Sequence, residues 1–136
     1  MKKPVSSPIA KLLKEKGFDI PVRNYYLLKE KGKFLHEGFD DEYWGDNRIV
    51  NWNDGISPIK PFQGFISAPT IAEVLMWLYE KHKIWISVDA PHKLLKSWCF
   101  EAYKINDEIT LIEKSLFNSP TEAYEAAIDY VLNNLI

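Results

Sequence analysis

Two Pro-Thr steps, Pro69-Thr70 and Pro120-Thr121, each open a run of apolar residues at helical spacing, and they constrain the fold more than any other feature of the chain. Proline suits the first turn of a helix, where its missing N–H is not needed, and a small polar residue just before it caps free backbone donors. The first run predicts a helix over 68–82, capped at Ser67 or Ala68, with Ile71, Val74, Leu75, Leu78 and His82 on one face. Ala72, Met76 and Tyr79 widen that face, and only Glu73, Glu80 and Lys81 are clearly polar. A helix so apolar contacts more than one layer, or it forms a homodimer contact along Pro69 to His82. The second run predicts a helix over 119–135, opened by the capping box Ser119-Pro120-Thr121-Glu122. It buries Tyr124, Ala127, Ile128, Val131 and Leu135 and leaves Glu122, Glu125, Asp129 and Asn133 wet.

The remaining segments read as strands, loops and one short helix. Ser7-Pro8 starts a helix over 7–17 with Ile9, Leu12 and Leu13 on its apolar face, and Gly17-Phe18 suits a left-handed stop. Residues 22–36 read as a β-hairpin turning at Lys31-Gly32. The segment 38–64 is irregular, rich in aromatic and acidic residues, with one short strand near Ile49-Val50. Residues 84–113 read as antiparallel strands: Ile84 to Val88, a turn through Asp89-Ala90-Pro91-His92, Trp98 to Lys104, and Ile109 to Ile112. The expected architecture is a single α+β domain over 1–136. In it an antiparallel sheet of about four to six strands packs with two main amphipathic helices and a short N-terminal helix.

Composition supports a globular chain: 46% hydrophobic, 14% aromatic and 26% charged, with five tryptophans able to fill much of a core. A net charge of −2 exerts no overall pull on nucleic acid or an anionic membrane, so neither is expected as a partner. Cys99 is the single cysteine, which rules out an internal disulfide and fits a reducing compartment. Ser6, Ser7 and Lys11 break any signal-peptide core near the N-terminus, and the apolar stretch Val74 to Tyr79 is too short to span a bilayer. The expected location is cytoplasmic.

The series Lys14-Glu15-Lys16-Gly17-Phe18-Asp19-Ile20-Pro21, Tyr25-Tyr26, Ser67-Ala68-Pro69-Thr70 and Met76-Trp77-Leu78-Tyr79-Glu80-Lys81-His82, with a closing Pro-Thr-Glu-Ala-Tyr-Glu-Ala-Ala helix, carries a resemblance. It resembles a group of small uncharacterised proteins of Bacteroidetes bacteria and their phages and prophages. The group brings no established enzyme activity and no catalytic motif, so the matching positions are chiefly caps and core. The resemblance implies a phage or prophage origin and, for a phage-encoded chain, the host cytoplasm. The region Glu37 to Gly64 is longer here than in that group.

No pattern for chemistry stands out. Asp40, Asp41, Glu42, Asp46 and Asp54 offer hard oxygen ligands, but Asn51-Trp52-Asn53-Asp54-Gly55 lacks the downstream glutamate of a calcium loop, and a solvated acidic loop is the simpler reading. His36, His82 and His92 lack zinc spacing, and His82 is read as a cation at a helix C-terminus or a partly buried ring. There is no nucleophile elbow and no phosphate-binding glycine loop, and Cys99 reads as a buried thiol. No metal and no cofactor is therefore expected. The lysines at Lys81, Lys83, Lys93 and Lys96 read as ordinary solvated positions.

Attention falls on Tyr43, Trp44, Trp52 and Phe62, interleaved with Arg48, Asn51, Asn53 and Asp54. Aromatic planes beside hydrogen-bonding groups suit a protein interface or a stacked ligand, and they equally suit rings packed beneath their own loop. The expected function is a non-enzymatic interaction module of the phage or prophage accessory type. It binds a host or phage protein through Tyr43, Trp44, Arg48, Trp52 and Asp54. The alternative is a small-ligand binder that sequesters a nucleotide or saccharide between Trp44, Trp52 and Arg48, with an enzyme as third choice.

Overall fold

The computed structural model describes residues 3–31, 34–39, 44–54, 65–92, 97–105 and 110–136. Its elements run α1 (Ser7–Glu15), β1 (Val22–Lys31), β2 (Phe34–Phe39), β3 (Trp44–Val50), a 3-10 turn (Trp52–Asp54), β4 (Phe65–Ser67), α2 (Ile71–His82), β5 (Ile84–His92), β6 (Ser97–Lys104), β7 (Thr110–Phe117) and α3 (Pro120–Asn134). The class is α+β. The strands divide between two antiparallel sheets, one of four strands and one of three, instead of joining the single sheet expected. The chain likewise parts into two compact units, Lys2–Thr70 and Ile71–Ile136.

In the first unit β1 is the strand shared by the other three. It pairs with β2 through Leu28↔Phe39 and Lys31↔Phe34, with β3 through Val22↔Val50 and Tyr25↔Trp44, and with β4 through Tyr25↔Ser67 and Tyr26↔Ile66. Side chains alternate along a strand, and here apolar groups cover both faces. Tyr26 points to one face and donates its hydroxyl to Val5 O at 2.7 Å; Tyr25 points to the other, where its ring meets Trp52 and Phe65. The helix stop at Gly17 is of the expected kind. Gly17 has φ +87°, its N–H donates to Lys14 O, and Phe18 N donates to Leu13 O at 2.9 Å. Phe18 and Leu13 are both buried, supplying the apolar contact that accompanies this motif.

The Pro69-Thr70 step plays a different part from the one expected. α2 begins only at Ile71. Before it, Val5 N donates to Pro69 O at 2.8 Å and Thr70 bridges Pro4, while Ala68 N donates to Asn24 O and Ser67 N to the Asn53 side chain. Ser67 therefore ends β4 with its Oγ unbonded among the described residues, and Ala68 has no side-chain acceptor, so neither caps α2.

In the second unit β5, β6 and β7 form a meander. The pairs Ile84↔Lys104, Ile86↔Ala102 and Val88↔Phe100 set the register of β5 against β6, and Ala102↔Ile112 sets β6 against β7. The expected turn at Asp89 to His92 is instead a continuation of β5 with a register shift, where Asp89 Oδ1 accepts from Ala90 N at 2.7 Å. α3 lies against all three strands and α2 against β5. α3 buries Ala123, Ala127, Ile128, Val131 and Leu132, so its inward face is rotated from the one expected: Tyr124 and Leu135 are only half-buried. α2 buries Ile71, Val74, Leu75, Trp77 and Leu78. Trp77 takes the inward position, and Ala72, Met76 and Tyr79 face water.

The capping box at α3 forms with a displaced partner. Ser119 Oγ accepts from Glu122 N at 3.1 Å, and Glu122 Oε2 accepts from Asn118 N at 3.0 Å, one residue before the cap. α1 opens differently. Its N-cap is Ser6, which makes no side-chain cap bond, and Pro8 supplies the preset first turn. Ser119→Ala is therefore expected to lower stability by about 1 kcal/mol in urea melts.

Candidate interaction surface

The sequence-derived site residues separate in the structure. Tyr43 lies outside the described residues, as do the side chains of Trp44, Arg48 and Asp54; the backbone places Trp44 and Arg48 on β3 and Asp54 at the end of the 3-10 turn. Trp52 is a core residue, 5% exposed. Its Nε1 donates to Val22 O at 2.9 Å, and its ring centroid lies 4.3 Å from that of Tyr25 and 5.7 Å from that of Phe65. A ligand sandwiched against Trp52 would have to draw it out of this cluster.

The neighbouring asparagines are spent in the same way. Asn53 Nδ2 donates to Phe18 O and Asn53 Oδ1 accepts from Ser67 N, both at 2.9 Å, so one amide ties the exit of α1 to β4. Asn51 Oδ1 accepts from Asn53 N at 3.1 Å. The fragment Asn51-Trp52-Asn53, which looks like the start of a calcium loop, is thus a structural stitch that satisfies buried backbone groups. Beside it, Ser67 Oγ is buried without a hydrogen-bond partner among the described residues. Among the described residues no group of three His, Cys, Asp or Glu side chains is placed to hold a metal ion.

The second unit presents what the sequence reading had turned inward. Met76 is 50% exposed and Tyr79 38%, three residues apart on one helical face. The Tyr79 ring meets Trp85 of β5 edge-on at 6.0 Å, and Lys83 Nζ lies 5.5 Å from the Tyr79 centroid. Ile105, 41% exposed, donates its N–H to Lys83 O at 2.9 Å. Lys83 has φ +55°, a left-handed conformation that closes α2, with its N–H donating to Tyr79 O. Glycine adopts that conformation without penalty, whereas a lysine there is strained. The result is a set of exposed apolar groups on this side of the unit: Tyr79 against half-buried Trp85, Met76 one turn back along α2, and Ile105 tied by its backbone to Lys83, with Lys81 and Lys104 close to them in sequence.

His82 sits beside this surface. Its ring packs edge-on to Trp77 at 4.9 Å. Burial, then Lys104, then Lys81, hold its pKa below the ordinary histidine value. It is therefore a neutral ring at pH 7, and of the two readings the sequence offered, the partly buried ring is the one the structure bears out, with the cation disfavoured by burial first and by the two ammonium groups second.

Sequence patterns alone did not isolate this surface, because α2 is apolar almost all round and its periodicity allows two neighbouring faces. The available signal was Glu80-Lys81 beside Tyr79, which marks a solvated side, and Trp77, whose bulk favours the opposite one. Compared with family models, curated proteins and solved structures, the chain matches none. Among the described residues no helix is long and apolar enough to cross a membrane.

The stitch makes a paired expectation. Asn53→Ala removes the bonds to Phe18 O and Ser67 N and lowers stability by roughly 2–4 kcal/mol, whereas Ser67→Ala removes a hydroxyl unsatisfied among the described residues and is neutral or slightly stabilising in the same denaturant melts. A second expectation concerns pH. The unfolded chain protonates His82 near pH ~6.5 before the folded chain does, so stability falls as pH drops from there towards the lower folded pKa. Melting temperatures across that window are expected to fall less steeply in His82→Gln than in the native chain.

Proposed function

We propose that the protein is a non-enzymatic interaction module, of the phage or prophage accessory type, that binds a partner protein through the exposed face formed by α2, β5 and the end of β6. One observation carries this reading: Met76 and Tyr79 stand in water on a helix whose other large apolar side chains are buried, with Trp85 and Lys83 packed against the Tyr79 ring. Large apolar groups lose stabilisation by remaining exposed, roughly 1.5–3 kcal/mol each, and a contiguous group of them rimmed by charge is characteristic of protein contact surfaces. Aromatic residues held by a neighbouring ring are good anchors because little rotamer freedom is lost on binding. The accessory character rests on the resemblance carried by the helix-opening and helix-face motifs.

Tyr43, Trp44, Arg48 and Asp54 are a second, separate candidate contact in this reading, while Trp52 is a core residue. The homodimer contact along α2 becomes one form of the same contact, with a second copy as the partner.

Cross-linking in the host, with the native chain and a Met76→Ser/Tyr79→Ser double variant, tests the proposal. The native chain is expected to capture a saturable protein partner that the double variant loses while keeping its circular dichroism and melting profile. Capture undiminished in the double variant, but abolished in Trp44→Ala, would move the contact to the 38–64 segment. Light scattering on the purified chain tells a second copy from a different partner.

A further inference from the structure

Three lysines from two elements converge on the edge of the apolar surface. Lys81 and Lys83 leave the C-terminal end of α2, and Lys104 ends β6 opposite Ile84, the first residue of β5. Lys104 and Lys81 both lie near enough to His82 to act on its ring, and Ile105, the residue after Lys104, is hydrogen-bonded to Lys83. All three side chains are exposed, and the local acidic residue on the same end of α2 is Glu80. Among the described residues, the charges at this edge are thus mainly positive although the whole chain carries a net charge of −2.

Lys83 adds an independent sign. It closes α2 in the left-handed region, where glycine is the residue free of strain, and its ammonium is held over the Tyr79 ring. That contact with the Tyr79 ring offsets part of the strain and holds the ammonium at the edge of the apolar groups.

We infer that the partner segment seated on this face is an acidic peptide with one aromatic or long aliphatic anchor, the anchor lying on Met76, Tyr79 and Ile105 and its flanking carboxylates meeting Lys81, Lys83 and Lys104. The inference rests on the reading of this face as the contact surface and specifies the chemistry of what covers it. Charge complementarity around an apolar centre selects such a segment and speeds its encounter. Two features favour a peptide over a nucleic-acid strand: aliphatic Met76 and Ile105 offer no hydrogen bonds to base edges, and a phosphate backbone calls for a longer basic track than three lysines.

Short synthetic peptides carrying several Asp or Glu residues around one Trp, Phe or Leu are the probe, measured by fluorescence anisotropy against the full chain. Saturable binding is expected, weakening as salt is raised, absent for peptides with the acids replaced by lysine, and reduced for those with the anchor replaced by serine. The Lys83→Glu/Lys104→Glu variant is expected to bind about tenfold more weakly or worse. Lys83→Gly is expected to raise the melting temperature and yet weaken binding, a combination that loss of folding cannot produce. Equal binding by the charge-reversed variant, preference for lysine-flanked peptides, or tighter binding of a single-stranded oligonucleotide or phosphatidylserine vesicles would overturn the inference. If host cross-linking still depends on Met76 and Tyr79 while every acidic peptide fails, the contact surface stands and this partner chemistry falls.

Discussion

The burial of one face of the three-stranded sheet beneath α3, with α2 against β5, is the contact on which the second unit depends. A short meander exposes too much backbone and apolar surface to persist alone. Ile84, Ile86, Phe100 and Ala102 are removed from water on the strands, and Ala127, Ile128, Val131 and Leu132 on α3. Each large side chain so buried contributes roughly 1.5–3 kcal/mol, against about 1 kcal/mol for the Ser119 cap, so packing dominates and the cap serves to set where α3 begins. The same packing fixes the rotation of α2: once Trp77 and Leu78 are inward, Met76 and Tyr79 are outward by helix geometry alone.

The first unit solves the burial problem through polar side chains. β1 is covered on both faces, and the chain that crosses it at Asn51 to Asn53 brings backbone groups inside that the strand ladders leave unpaired. Asn53 satisfies two of them and Trp52 a third, each at 2.9 Å. An aromatic residue followed by asparagine can thus serve as a core and bracing element, which is why residue type alone made this fragment look like a binding site.

Legibility in the sequence followed the strength of the local physics. The Gly17-Phe18 stop and the capped start of α3 are each set by residues within a few positions of one another and were readable, as were the strand-forming runs of the β1–β2 hairpin and of the meander, though not the extension of β5 through His92. The sorting of strands into two sheets depends on contacts distant in sequence, such as β1 with β4, and no local pattern encodes it. Helix rotation failed for a related reason. α2 has apolar residues on nearly every side, so periodicity could not tell Met76 from Trp77, and only the sheet beneath decides. Between the two readings of His82 the sequence could not choose, because burial first and Lys104 second, both supplied by the fold, disfavour its charged form.

The placement of Trp52 inside and of Met76 and Tyr79 outside is tested most directly by hydroxyl-radical footprinting of the intact native chain, read residue by residue by mass spectrometry. Met76 and Tyr79 are expected to oxidise rapidly, with Trp52 and Trp77 protected until the chain unfolds. Rapid labelling of Trp52 together with protection of Met76 and Tyr79 in the unliganded monomer would contradict it.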